Sequence, residues 1–332
     1  MKDGLRGKMS FPANVKSKAD APNVPNAADS APNAPNAPNA ADSARRVALS
    51  NGAKGIAAPA LGQGGWHLGD DPRKANAEMA ALRHGVELGM NLIDTAEMYG
   101  DGRSETLIGA ALSDLRREDY LLVSKVYPQN AGRSGILRSC DASLKRLRAE
   151  RLDLYLLHWR GDIPLSETVG CMEELVGAGK IRAWGVSNFD VADMEELWTI
   201  PGGERCAVNQ VLYNLGSRGV EYDLLPWLRA RGVTAMAYCP LAQAGSLRRM
   251  GKDYPSDETL LDIAGKYGIS VMQLMLAFVL KQDNLIAIPK SGALAHVEEN
   301  AQARGLAIAK EDWDAIDSVY WPPTSKMHLD IE

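Results

Sequence analysis

Beyond residue 44 the chain alternates between short apolar runs and longer stretches in which apolar residues recur every three or four positions. The short runs are LGQGG from Leu61, NLID from Asn91, YLLVSK from Tyr120, LDLYLLHW from Leu152, IRAWGVSN from Ile181, CAVNQ from Cys206, VTAMAYC from Val233 and LIAIPKS from Leu285. Each is short enough to be a strand, and helical patterns separate them. The stretch ETVGCMEELVGAG, for example, places Val169, Met172, Leu175 and Val176 on one face and stops at glycines. Likewise Ile136, Cys140, Leu144 and Leu147 line one helical stripe. Upstream, RRVAL and KGIAAPALG flank Ser50-Asn51-Gly52, and Asn-Gly between two such runs predicts a β-hairpin. Eight strand–helix alternations after a hairpin predict an α/β fold closed into a single parallel (β/α)8 barrel of the TIM type rather than an open sheet.

Composition changes this picture at one end only. With 332 residues, 45% of them hydrophobic, the chain can bury one full barrel core. Residues 1–44 form a different regime, with APN repeating from positions 21, 31, 34 and 37 and AADS from 27 and 40. Bulky apolar side chains are almost absent there, so this low-complexity extension is expected to be disordered, with residues 45–332 forming the barrel. A net charge of −5 with no Lys/Arg block argues against nucleic acid as a partner. The first residues include lysines but no apolar stretch follows them, and no segment is long and apolar enough to span a bilayer, so a cytoplasmic protein without membrane attachment is expected. Cys140, Cys171, Cys206 and Cys239 lie far apart with no metal-ligand spacing, which predicts reduced packing thiols and no bound metal.

The chemistry lies where the apolar runs end. Asp94 closes NLID, Lys125 closes YLLVSK, His158 follows LDLYLL, and Tyr99 stands shortly after the first of these. Singly, each has an ordinary reading: a cap, a loop aromatic, a snorkelling strand end, a satisfied imidazole. All four at the strand exits of a barrel define a carbonyl-reducing site instead. Hydride delivery to a carbonyl carbon builds negative charge on its oxygen, which requires a proton donor. Tyr99 is that candidate: a phenol titrates near ~10 in water, and the Lys125 ammonium would tune it towards proton transfer. Asp94 would hold the lysine charged, and His158 would orient the substrate oxygen by a hydrogen bond.

With GMNLIDTAEMYGDGRSE and LDLYLLHW in view, the chain from about Arg45 onward resembles the aldo-keto reductases. The words WGVSNFD, YDLLPW and MAYCPLAQAG are most similar to small bacterial members that act on methylglyoxal and related short aldehydes. The resemblance implies that the hairpin plugs the barrel bottom. It implies NADPH as cofactor, with NADH a weaker alternative: Ser187, Asn188 and Gln210 would hold the nicotinamide carboxamide, and Tyr238 would stack on the ring. Cys239, where a serine is common, and Leu241, with the small-residue stretch to Gly251 that carries Arg248 and Arg249, would cover the pyrophosphate. Lys290 and Ser291 would meet the 2′-phosphate, Glu299 and Asn300 the adenine, and His296 stands where many members have arginine. No GxGxxG follows a strand, so a Rossmann domain is not indicated.

Gly65, Trp66 and Trp159 are expected to wall a substrate pocket suited to small or flat carbonyl compounds. The segment after Trp321 is expected not to build a deep, selective lid, which favours a small or promiscuous substrate range. The expected activity is NADPH-dependent reduction of short aldehydes and α-dicarbonyls by a monomeric enzyme. The alternatives are a keto-sugar or keto-acid reductase, and a slow NADP-binding regulatory subunit on the same fold.

Overall fold

The computed structural model describes residues 45–332 except 54 and 243–252; the expectations for residues 1–44 and for Arg248 and Arg249 lie outside these. A two-stranded hairpin, β1 (Arg46–Ala48) with β2 (Ala57–Pro59), precedes the barrel. Eight parallel strands follow: β3 (Gln63–Gly64), β4 (Leu92–Asp94), β5 (Leu121–Val126), β6 (Leu152–Leu157), β7 (Ile181–Ser187), β8 (Val208–Leu212), β9 (Thr234–Tyr238) and β10 (Leu285–Ala287). Each of the eight predicted runs overlaps one of them, with β5 and β8 extending one and two residues past their runs. Every strand pairs with its sequence neighbour, and bridges Leu61–Ala287 and Gly64–Lys290 close the ring between first and last. Closure brings two backbones together tightly: a Cβ on Gly64 would lie 2.8 Å from the Ile288 carbonyl oxygen, a contact only glycine avoids.

Helices surround the barrel. They include α1 (Ala75–Glu87), α2 (Arg103–Ala111), α3 (Ile136–Leu147), α4 (Leu165–Gly177), α5 (Val191–Thr199) and α6 (Leu224–Ala230), then α7 (Glu258–Tyr267), α8 (Val271–Leu280), α9 (Leu294–Gln302) and α10 (Lys310–Val319). The predicted stripe Ile136, Cys140, Leu144 and Leu147 is buried, as are Val169, Met172 and Leu175 of α4. Helix α8 (VMQLMLAFVL) is apolar all round and correspondingly buried, fixed at its start by a capping box in which Ser270 and Gln273 satisfy each other's backbone N–H groups. None of the described helices is by itself long and apolar enough to cross a membrane. The four cysteines are free thiols, three of them buried.

The hairpin is present, but its Asn-Gly pair is not a two-residue turn. Ala48 pairs with Ala57, so residues 49–56 form the connection, and of the pair only Asn51 is left-handed (φ 52°). Asn51 and Gly52 instead form a tip seated at the N-terminal mouth of the barrel. The Asn51 side-chain amide donates to the Cys206 and Arg231 carbonyls (3.0 and 3.3 Å), just ahead of β8 and β9. Gly52 lies so close to Arg205 that a Cβ would sit 2.5 Å from its carbonyl oxygen. The plug is therefore held by hydrogen bonds as well as by buried Val47, Leu49 and Ile56. Asn51→Ala removes both bonds and places alanine in a left-handed conformation. Urea denaturation should show a loss of about 1–2 kcal/mol, with catalytic constants unchanged because the opposite mouth is untouched.

Candidate active site

Asp94 ends β4 and Lys125 lies on its neighbour β5, which places carboxylate and ammonium side by side in the barrel core. The Lys125 Nζ stands 2.7 Å from Asp94 Oδ2, 2.9 Å from the Thr95 carbonyl oxygen and 3.0 Å from Tyr99 Oη. The other Asp94 oxygen accepts from Gln210 Nε2 at 2.8 Å. Burial pushes the lysine's pKa down and the aspartate's up, each towards its neutral form. Three acceptors around one nitrogen match the three protons of an ammonium, however, and each group's charge is what holds the other, so the pair is ionic.

Because Lys125 donates into the phenolic oxygen, the proton on Tyr99 Oη is free to point at the cleft. The phenol's pKa is raised well above its ordinary value, first by burial and then by the Asp94 charge. This is opposite to the direction expected from the ammonium alone. The result is a phenol held fully protonated, with a cation touching the oxygen that would carry charge once the proton left.

Sequence reading missed what positions Tyr99. The backbone turns through Gly100, Asp101 and Gly102, all left-handed (φ 58°, 53° and 85°), before α2 begins. The Arg146 side chain fills the space beside Gly102, where a Cβ would lie 2.5 Å from it. Its guanidinium reaches the fully buried Glu105 (2.5 Å), which also accepts from Ser124 Oγ on β5 (2.6 Å). Ser104 bridges the Gly65 carbonyl (2.8 Å) and the Thr95 hydroxyl (2.9 Å). The signal available was Glu105 itself, an acidic residue in the first turn of α2 where the helix dipole favours it.

The cleft above these residues has a volume of about 620 Å³. Trp66 packs edge-on against Tyr99 with ring centres 4.7 Å apart, and Trp159 adjoins His158 at 4.9 Å. Gly65 does not line it. That residue lies behind Trp66 with its N–H on the Asp94 carbonyl (2.7 Å), and a Cβ would strike the same oxygen. Burial, with Lys125 nearby, pushes the His158 imidazole down to about 2, and its Nδ1 has no hydrogen-bond partner among the described residues. His158 is thus a neutral group at working pH.

Ser187, Asn188, Gln210, Tyr238, Cys239, Leu241 and Lys290 also line the cleft. Tyr238 Oη donates to Asn188 Oδ1 (2.9 Å), Asn188 Nδ2 donates to the His158 carbonyl (3.3 Å), and Ser187 Oγ donates to the Gln210 carbonyl (2.9 Å). Ser291, His296, Glu299 and Asn300 lie outside the cleft wall. Ser291 Oγ accepts from the Ala293 N–H just ahead of α9, His296 is exposed, the Glu299 carboxylate is held by Ser270, and Asn300 is buried. Three non-glycine residues of the wall, His67, Asn188 and Cys239, have left-handed backbones. The tail is a further missed element: Ile331 and Glu332 reach back to line the cleft.

A parallel (β/α)8 barrel with an Asp–Lys–Tyr–His cluster under an aromatic cleft at its strand exits defines a carbonyl oxidoreductase of barrel type. Residues 60–320 match the model of the Aldo/keto reductase family, and the chain belongs to that family. Methylglyoxal reductase YeaE of Escherichia coli is 50% identical over 276 residues, covering 83% of this chain and 96% of that protein. Glyoxal reductase of Bacillus subtilis is 33% identical, covering 82% and 92%. Among solved structures, an aldo/keto reductase from Klebsiella pneumoniae in complex with NADP and acetate superposes with a TM-score of 0.83 at 47% identity, covering 87% of this chain and all of that one.

The depressed His158 pKa has two measurable consequences. The imidazole resonances should not titrate in the folded protein between roughly pH 4 and 9. The unfolded chain binds a proton below the ordinary histidine value of ~6.5 that the folded one does not, so this residue's contribution to stability should fall as pH drops from there towards about 2. A His158 resonance titrating near its ordinary value would show that the imidazole is not desolvated.

Proposed function

We propose that this protein is an NADPH-dependent reductase of small aldehydes and α-dicarbonyls, methylglyoxal among them, with Tyr99 as general acid. The observation that carries the reading is the 3.0 Å contact from the Lys125 ammonium to Tyr99 Oη, which leaves the phenolic proton facing an indole-walled cleft. The names of two relatives, methylglyoxal reductase and glyoxal reductase, point to the same substrate class. The solved neighbour's NADP points to the cofactor.

The residues present suit that cofactor. The flat ring of Tyr238 and the polar groups of Ser187, Asn188 and Gln210 form one wall of the cleft, a surface for an aromatic ring that bears a carboxamide. Cys239 and Leu241 continue it towards a pyrophosphate. Lys290, exposed at the rim, would meet the 2′-phosphate with Ser291, while Glu299, Asn300 and His296 on α9 would face the adenosine.

When bound, NADPH supplies the hydride that joins the carbonyl carbon. Tyr99 delivers its proton to the oxygen, which completes the alcohol and leaves a phenolate against the Lys125 ammonium. Asp94 keeps that ammonium in place, and Gln210 keeps Asp94 in place. His158, being neutral, donates one N–H to the substrate oxygen without adding a cation that would compete with Lys125. Trp66 and Trp159 exclude water and favour short or planar substrates.

Steady-state assay with NADPH and methylglyoxal tests the activity, and Tyr99→Phe tests the acid. The variant should bind NADPH normally yet lose roughly 10² to 10⁴ in turnover, and Lys125→Met on top of it should add little. Normal turnover in Tyr99→Phe would remove the phenol from this role. For the cofactor, Lys290→Ala should weaken NADPH roughly tenfold to a hundredfold, as expected for a hydrogen bond to a charged group, and NADH hardly at all. Equal losses for the two nucleotides would place the 2′-phosphate elsewhere.

A further inference from the structure

The tail after α10 is pinned across the mouth of the cleft. Lys326 Nζ bridges Asp190 (2.6 Å) and Asp223 (2.7 Å), at the starts of α5 and α6, and Ser217 Oγ donates to Asp330. Leu329 packs on the core between these anchors. The chain then delivers Ile331 and Glu332 to the cleft wall, where the Glu332 N–H donates to Tyr238 Oη (3.4 Å) and its Oε2 accepts from the Cys239 thiol (3.6 Å).

The other charges of the cleft are neutralised or assigned. Asp94 is paired with Lys125, His158 is neutral, His67 is hydrogen-bonded to Asp70 (2.7 Å), and Lys290 is assigned above to the nucleotide. Among the described residues no cation faces the Glu332 carboxylate. Burial first, and then the Glu332 charge, push the Cys239 thiol up to about 12, so it stays protonated and donates to that carboxylate.

We infer that Glu332 is a specificity-determining residue: its carboxylate at the cleft mouth discriminates against carbonyl compounds that carry a carboxylate, and so selects neutral aldehydes and dicarbonyls over keto acids. A like charge on the wall of the cleft that also holds Tyr99 and His158 raises the barrier for an anion and leaves a neutral isostere alone. Glu332 is exposed, so water screens the effect and its expected size is modest. The inference rests on the small-carbonyl reading above and refines it.

The test compares 4-carboxybenzaldehyde with 4-nitrobenzaldehyde, near-isosteres that differ in charge, as the ratio of their kcat/KM values with NADPH. Glu332→Gln should raise the charged-to-neutral ratio about threefold to tenfold, and Glu332→Lys should raise it further. In the unmodified protein added salt should lift the ratio, and in Glu332→Gln it should not. Equilibrium dialysis of benzoate against the NADP-loaded proteins gives a readout without turnover, with binding tightening in the same order. A ratio unchanged in both variants, or Gln behaving as Glu while only Lys differs, would overturn the inference and leave the reductase reading intact. Absence of turnover with both aldehydes in the unmodified protein would overturn the reductase reading, and this inference with it.

Discussion

The site depends on one buried ion pair. Moving an isolated carboxylate or ammonium into the middle of a barrel would cost several kcal/mol, and a mutual contact recovers that only when every remaining proton and lone pair is also met. Here they are met by groups from separate parts of the chain: Asp94 from β4, Lys125 and the Thr95 carbonyl beside it, Tyr99 from the turn beyond, and Gln210 from β8 on the far side of the ring. The pair therefore works as a cross-barrel tie. A slip of one residue in β5 would turn Lys125 away from the interior and strand the aspartate, so register and chemistry are enforced together.

The arrangement separates two jobs that charge performs. Lys125 is a permanent cation kept where it can steady a phenolate, whereas His158, a short distance away, is kept uncharged by the same burial. A second cation there would compete for the carbonyl oxygen and raise the cost of the first. Burial pushes both bases towards neutrality, and only Lys125 has an acid, Asp94, that holds its charge.

Much of this was legible along the chain. The strands showed as apolar runs, and Asp94, Lys125 and His158 stood out because polar residues interrupt those runs at their ends. Local pattern suffices for such features. It could not show that Gln210 would spend its amide on Asp94, since the two are brought together only by barrel closure. Nor could it show that Arg146 and Glu105 clamp the turn bearing Tyr99, or that Asn51-Gly52 would dock on the segments leading into β8 and β9 rather than make a tight turn. The direction of the Tyr99 shift was misjudged for the same reason: adjacency to lysine is a pairwise idea, and desolvation belongs to the whole fold. The tail was read only as offering no deep lid, because its anchoring by Lys326, which brings Ile331 and Glu332 to the cleft, does not show in sequence.

The left-handed backbones of His67, Asn188 and Cys239 set durability against function at the rim of the cleft. A side chain in that conformation costs about 1–2 kcal/mol relative to glycine at His67 and Cys239, whereas Asn188 tolerates it and is held by its bonds to Tyr238 and the His158 carbonyl. A library screened for heat tolerance alone would drift towards glycine at His67 and Cys239, and its winners would be sturdier barrels with a blunted rim.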